Sequence, residues 1–338
     1  MTKTTPHRSN PFRSGRVAIL GRPNAGKSTL LNSLLEIAVS ATSDRPQTTR
    51  TNIRGILQQH NKKKEWSGQI VLVDTPGLNF KKGLLDRSMF TSIEEALSEV
   101  DTVVWLADVK TFHNDLRDLE LKRPGSDKIA GWLKDRLDKK NPNQKWILVL
   151  NKVDKISKND MLPLIARTHE ILTCFEEIVP VSAIQGLKEN DSNLQPLLEI
   201  IEKSLPWGEP FYDEGRWTDL NEKQLVQNLI REAVFRQCRQ EVPYQADSTV
   251  IKFLDPQGHR KMPEVDATLW VAKESLKPIL VGAKGTKIRD IGIATRERYK
   301  EITGDDLILR LMVKVVENWE SRPSSLAELG YGVQNSNA

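Results

Sequence analysis

The chain has 338 residues, 38% apolar and 28% charged, with 19 Gly and 17 Pro; this is a globular composition with length for two domains, and it excludes a disordered or collagen-like chain. Two cysteines, Cys174 and Cys238, exclude a disulfide scaffold and favour a reducing compartment, and the longest aliphatic runs are of strand length, well short of the ~20 apolar residues of a spanning helix. The formal charge is +5, and residues 273–300 alone hold eight Lys/Arg against three acids, so the surplus sits in one segment.

Residues 1–14 are polar and read as a flexible tail; they lack the apolar stretch of a signal peptide, so a cytoplasmic location is expected. Residues 15–205 read as one α/β domain. Apolar runs at 17–20, 70–73, 103–107, 146–150 and 178–181 alternate with helical patterns, which predicts a mostly parallel sheet covered on both faces. Ile93, Leu97 and Val100 show helical spacing, whereas residues 52–58 alternate and predict an edge strand with one wet face. A linker is expected at 206–217, dense in Pro, Gly and aromatic residues. Beyond it, at 218–332, a helix (219–238), two strands (248–254 and 265–273), helices about a Gly-x-x-Gly turn and a last strand (307–316) predict a smaller α+β domain, followed by a tail at 333–338.

The first strand runs into Gly21-Arg22-Pro23-Asn24-Ala25-Gly26-Lys27-Ser28, which fits G-x-x-x-x-G-K-[ST] between a strand and a helix. In that context the backbone of Gly21, Asn24, Ala25 and Gly26, continuing through Thr29, wraps phosphates at a helix N-terminus. Lys27 reaches the β- and γ-phosphates, and Ser28 holds Mg²⁺. Asp74-Thr75-Pro76-Gly77 ends the second apolar run: Asp74 can take a Mg²⁺-bound water, and the Gly77 N–H can face the γ-phosphate. Asn151-Lys152-Val153-Asp154 ends another. A carboxylate at Asp154 accepts from the N1–H and exocyclic amine of guanine, a pair that adenine does not offer, and a buried carboxylate left unpaired by the wrong base makes the site selective. Ser182 and Ala183 end the last run of this domain and can add backbone contacts to the guanine oxygen. Each string is weak alone; together, at successive strand ends, they predict a GTP/GDP site.

The chemistry expected there is in-line attack of water on GTP, which needs positioning and charge neutralisation. Leu78 follows Asp-Thr-Pro-Gly where Ras-like switches carry a water-orienting glutamine, so intrinsic turnover is expected to be slow or to depend on another activator. Asn24 has two open readings: its side chain helps hold K⁺ beside the phosphates, or it only shapes the loop. Within residues 43–50 a threonine hydroxyl can join the Mg²⁺ ligands when γ-phosphate is present, with Thr49 preferred over Thr48.

In the second domain, Gly282-Ala283-Lys284-Gly285 lies in the basic segment with Lys287 and Arg289 close behind. A G-x-x-G turn between helices matches the KH loop that clamps a nucleic-acid backbone, and the element order is that of the prokaryotic, type II, KH domain. A single-stranded RNA ligand and salt-sensitive binding are expected.

With GRPNAGKSTLLN, QTTR, DTPGL, NKVD, VPVSA, Pro243-Tyr244, VGAKGTKI followed by IGI, and Leu329-Gly330-Tyr331, residues 15–332 resemble the Era family of bacterial GTPases. The resemblance implies a GTPase whose KH domain binds the 3′ end of small-subunit ribosomal RNA on the pre-30S particle. It also implies weak peripheral contact with the inner membrane; no obligate oligomer is expected. The sequence departs from the family pattern at 59–68 and 122–143, which are longer or more basic, and at Pro278, where a more regular segment is expected. Three rival readings are another assembly or tRNA-modifying GTPase, disfavoured by the KH element order; an RNA-binding scaffold in which GTP turns over negligibly; and a membrane-surface switch using the basic segment, which no amphipathic pattern with a Lys/Arg face and aromatic anchors supports.

Overall fold

The computed structural model describes residues 12–43, 45–60, 66–80, 82–120, 128–187, 192–257 and 261–332. The first sheet contains β1 (Arg13–Gly21), β2 (Ile53–His60), β3 (Trp66–Asp74), β4 (Thr102–Asp108), β5 (Lys145–Asn151) and β6 (Glu177–Val181), in the order β2-β3-β1-β4-β5-β6. Only the β2–β3 pairing is antiparallel, so the alternating segment is the edge strand. The helices are α1 (Lys27–Leu35), α2 (Leu84–Glu99), α3 (Val109–Glu120), α4 (Lys128–Asp138), α5 (Lys158–Ile171) and α6 (Leu194–Ser204).

The apolar runs are uninterrupted because both faces of the sheet are covered. On one face Val17, Ile19, Leu72 and Val149 pack with Leu30 and Leu34 of α1 and Leu197 and Ile201 of α6. On the other, Ala18, Leu20, Val103 and Leu148 pack with Ile93 of α2, Phe112 of α3 and Leu133 of α4. Parallel register then aligns the carboxyl ends: Gly21 lies beside Leu106, Asp74 beside Ile19, and Asn151 beside both Asp108 and Val181. The loops leaving these strands open on one edge of the sheet.

Three expectations need adjustment. The helix marked by Ile93, Leu97 and Val100 begins at Leu84 and ends before Val100, which is extended and fills the second core. Arg13 and Ser14, expected in the tail, belong to β1, because the Ser14 N–H donates to the Pro206 carbonyl (3.2 Å) and the Arg13 guanidinium stacks over Trp207. The linker is itself fastened to the first sheet. The fully buried Gln69 side chain accepts from the N–H groups of Phe211 (2.8 Å) and Tyr212 (3.0 Å) and donates to the Tyr212 carbonyl (2.9 Å). The Ile56 N–H donates to the Trp217 carbonyl (2.9 Å).

The second unit contains α7 (Glu222–Gln237), β7 (Ala246–Leu254), β8 (Glu264–Val271), α8 (Lys277–Val281), α9 (Thr286–Thr303), β9 (Ile308–Val315) and α10 (Pro323–Glu328). Its sheet runs β7-β8-β9, antiparallel then parallel. Asn221 and Gln224 form a reciprocal capping box that starts α7. Leu225 and Leu229 of α7, Leu269 of β8 and Ile291 and Tyr299 of α9 share the core. Pro278 does not disturb this unit: it occupies the first turn of α8, where a backbone N–H has no helical partner to lose. Within the two unusual connections, residues 61–65 and 122–127 lie outside the described residues, and α4 occupies much of the remainder of the second.

Gly21 sits tight against β4: its φ is +152°, and a Cβ there would stand 2.2 Å from the Leu106 carbonyl oxygen. Gly21→Ala should therefore destabilise the chain by about 2 kcal/mol or more, a fall in Tm of roughly 4–8 °C. Thermal unfolding of the nucleotide-free protein measures it.

Candidate functional site

The loop after β1 turns through Asn24 (φ +63°) and Gly26 (φ +100°) into α1. The first turn of α1 has no side-chain cap and no acidic residue, so its free N–H groups and positive end face the loop's hollow. Lys27 is buried there, its ammonium donating to the carbonyls of Arg22 (3.1 Å) and Gly21 (3.4 Å). Burial pushes its pKa down to about 8 against the pull of Asp74.

Asp74, at the end of β3, is fully buried. Its Oδ2 accepts from Ser28 Oγ (2.6 Å), Ser40 Oγ (2.7 Å) and Thr49 Oγ1 (3.2 Å), and Ser28 and Thr49 are themselves 2.9 Å apart. Its Oδ1 is buried without a partner, and burial raises its pKa despite Lys27. Hard oxygen donors around an unsatisfied carboxylate oxygen suit a small divalent cation such as Mg²⁺. Thr48 lines the same cleft as Thr49, but its hydroxyl bonds with Ser43 Oγ (2.7 Å) and the Arg45 carbonyl (3.1 Å) and not with Asp74. Sequence reasoning missed Ser40. Asn32 of α1 holds its backbone at both N–H (2.9 Å) and carbonyl (2.8 Å), a pairing that no spacing in the sequence advertises.

Gly77 packs against Pro23 of the loop, and the Leu78 N–H donates to the Gly21 carbonyl (3.2 Å). The Leu78 side chain is buried in the second core, so it is absent from the hollow as well as chemically inert. On the far side Asn151 acts as a bracket: its Nδ2 donates to the Ala25 carbonyl (2.8 Å), and its Oδ1 accepts from the Ala183 N–H (3.0 Å). Lys152 spans the Asn24 carbonyl and Asp108, each at 2.7 Å. Asp154 accepts from Ser182 Oγ (2.7 Å) and stands exposed at the cleft mouth. The expected buried carboxylate is thus open in this structure, and its selectivity depends on the base that covers it. Asn24, Lys27, Ser28, Thr29, Thr49, Gly77, Asn151, Lys152, Asp154 and Ala183 all line one cleft of about 320 Å³.

In the second unit the turn between α8 and α9 is left-handed at Lys284 (φ +52°) and Gly285 (φ +77°). Gly282 (φ +76°) approaches Lys287 so closely that a Cβ would stand 2.8 Å from its backbone nitrogen. Ala283, Lys284 and Arg289 are exposed, whereas Lys287 is half-buried with its ammonium 3.4 Å from the Gln237 carbonyl. Like α1, α9 begins without a side-chain cap or an acidic residue.

The fold and these two loops define a P-loop GTPase domain carrying a KH-type domain. The description "50S ribosome-binding GTPase" matches residues 16–152, and "KH domain" matches residues 241–320. The chain is 34% identical over 321 residues to GTPase Era of Mycobacterium leprae, covering 95% of this chain and 99% of that one. It is 33% identical to GTPase Era of Mycobacterium tuberculosis over the same span. Among solved structures it is similar to a single-residue variant of Aquifex aeolicus Era bound to GDP·AlF4⁻, with TM-score 0.81 and 34% identity over 94% of this chain and 99% of that one. It is equally similar, with TM-score 0.81 and 34% identity over 95% and 99%, to Era in complex with MgGDPNP and nucleotides 1506–1542 of 16S ribosomal RNA. The chain belongs to the Era family of GTPases.

If Asp154 accepts from guanine as expected from the sequence, replacing it by Asn should cost about 3 kcal/mol for two charge-assisted bonds, or roughly 100-fold in affinity. Because Asp154 is exposed, its loss should leave the thermal midpoint of the nucleotide-free protein unchanged. Titration with a fluorescent GDP, alongside thermal unfolding, checks both.

Proposed function

We propose that this chain hydrolyses GTP and, under control of the bound nucleotide, clamps the 3′ end of small-subunit ribosomal RNA on the pre-30S particle. One observation carries the reading: both domains align, over 95% of the chain, with an Era solved in complex with MgGDPNP and nucleotides 1506–1542 of 16S ribosomal RNA. The convergence of Ser28, Thr49 and Asp74 supports Mg²⁺ binding with GTP, and the exposed Lys284 in its glycine turn supports a phosphate-clamping role.

Lys27 neutralises phosphate charge, the Gly77 N–H faces the γ-phosphate, and Asp154 with Ser182 and Ala183 receives guanine. Ser28, Thr49 and a water on Asp74 would hold Mg²⁺, which supplies charge neutralisation between the β- and γ-phosphates. Gly282, Ala283, Lys284 and Gly285 meet the RNA backbone, with Lys287 and Arg289 adding charge. Leu78 offers nothing to orient water, so turnover is slow or depends on another activator, for which Asn24 holding K⁺ beside the phosphates is the candidate. The positive φ of Asn24 is also one that Asn adopts readily, which suits the loop-shaping alternative. The family reading carries a cytoplasmic location with peripheral inner-membrane contact. Among the described residues no helix is long and apolar enough to cross a membrane.

A short strand copying the ribosomal 3′ end should bind more tightly with a non-hydrolysable GTP analogue than with GDP, and more tightly than a scrambled strand. Lys284→Glu should abolish the preference, and salt should weaken binding. Equal, weak binding of both strands in both nucleotide states would overturn the RNA reading. Multiple-turnover phosphate release should be several-fold faster in K⁺ than in Na⁺. Equal rates would leave Asn24 as a loop-shaping residue, and no release in either would make the chain a scaffold.

A further inference from the structure

The segment between α1 and β2 that carries Thr49 is fastened to the other domain along its length. The Arg236 guanidinium of α7 donates to Thr42 Oγ1 (2.9 Å) and to the Thr42 carbonyl (3.2 Å), and Arg45 donates to the Cys238 carbonyl. Arg50 goes further: 2% exposed, it is swallowed by the KH-bearing unit. Its Nη1 donates to Asp247 Oδ2 (2.7 Å) and the Ala246 carbonyl (3.1 Å), and its Nη2 donates to the carbonyls of Pro243 (3.0 Å) and Tyr244 (3.3 Å). The guanidinium carbon lies 5.6 Å from the ring centres of both Phe235 and Trp319.

The pocket is built for a cation. Asp247 is fully buried and also accepts from Arg231 (3.0 and 3.1 Å), the Ser248 N–H (2.8 Å) and the Tyr331 hydroxyl. Burial alone would raise the Asp247 pKa, but Arg231, Arg50 and Tyr331 together hold it below the ordinary value. Among the described residues, every hydrogen-bond partner of the Arg50 side chain belongs to the second domain, while the hydroxyl one residue before it belongs to the Ser28–Asp74 cluster of the first. One peptide unit therefore joins a buried interdomain ion pair to the cation site.

We propose that Arg50, seated on Asp247, is a positioning residue for GTP hydrolysis: by fixing the chain directly after Thr49, it holds that hydroxyl on Ser28 and Asp74, so that the KH-bearing domain shapes the site that distinguishes GTP from GDP. This rests on the nucleotide reading above. Thr49 serves the γ-phosphate state, so disturbing its anchor should penalise GTP-like ligands and spare GDP. A pair that only glued the domains together would treat both nucleotides alike.

The test uses the full chain with Mg²⁺, comparing Arg50→Gln, which leaves Asp247 paired with Arg231, with Thr49→Ala and the double variant. Dissociation constants for fluorescent GDP and GDPNP are read together with kcat at saturating GTP. The expected result for Arg50→Gln is a loss of about tenfold in GDPNP affinity and in kcat, with GDP affinity within about twofold. On the Thr49→Ala background the same substitution should add less than about twofold, because both act through one hydroxyl. Equal losses for GDP and GDPNP, no loss for either, or full additivity with Thr49→Ala would overturn the proposal. Should Arg50→Gln fail to fold, Tyr331→Phe decides, since it removes one hydroxyl from Asp247 and no charge. A GDPNP-selective loss supports the proposal, and an unchanged GDPNP-to-GDP ratio overturns it. Failure of the unsubstituted chain to bind either nucleotide would overturn the nucleotide reading, and this inference with it.

Discussion

A carboxylate with one crowded oxygen and one empty one governs the nucleotide domain. Asp74 gathers hydroxyls from the head of α1, from the stretch after it and from the Thr49 segment onto Oδ2, and leaves Oδ1 with no partner. Stranding part of a buried charge costs several kcal/mol unless something compensates it. The nearest cation, Lys27, is poorly placed to do so: it is spent on loop carbonyls and is itself held down to about 8 by burial. Both groups would gain from ligands of opposite sign, which supports the proposed divalent cation at Asp74 and phosphate at Lys27. The arrangement is least comfortable when empty, so nucleotide binding stabilises the folded state by linkage.

That geometry depends on strands ending together, and the strands were the most legible part of the sequence. Burial on both faces writes a continuous apolar run, and a polar string at the end of each run marks the edge where ligands bind. The loops at Gly21, Asp74, Asn151 and Ser182 were therefore readable with their order. Their division of labour was not. Asn151 ties Ala25 to Ala183, Ser40 joins Asp74, and Leu78 is folded into the core; each depends on a contact made far away in sequence. Periodicity reports which face a side chain occupies, not which remote carbonyl or hydroxyl it meets.

The same limit explains the linker and Arg50. A stretch rich in Pro, Gly and aromatic residues reads as a tether, yet Gln69, a lone buried amide on β3, pins its backbone to the sheet. In composition Arg50 is one more basic residue beside the threonines. Its acceptors, three of them backbone carbonyls, lie nearly 200 positions further on (Asp247 is 197 residues away). The polar run at 43–50, read as a switch, is also an interdomain contact, through Arg45 and Arg50.

The second domain is consequently held by the linker along the first sheet, by the Thr42–Arg50 segment on α7 and β7, and by α2, whose Leu84 and Leu85 pack on the Trp270–Trp319–Leu326 cluster and whose Ser88 Oγ donates to the Gly332 carbonyl (2.8 Å). The carboxyl end of α7 connects onward to the glycine turn: Gln237 donates to the Asp290 carbonyl (3.0 Å) and accepts from Lys287 at its own carbonyl (3.4 Å). A few packed residues thus separate Thr49, in the Asp74 cluster, from the glycine turn at 282–285 proposed to meet RNA. Proximity of this kind is not coupling; coupling requires an element with two arrangements that both ligands bias. The Thr42–Arg50 segment is placed for that role, since Thr49 lies in the Ser28–Asp74 cluster while Thr42, Arg45 and Arg50 bond the other domain. If ordering that segment favours the KH conformation that accepts RNA, then RNA must favour the ordered segment and tighten GTP by the same factor. On the proposed reading, a protein built this way would need no separate sensor for RNA, because occupancy of the clamp would be written into the affinity of its nucleotide site.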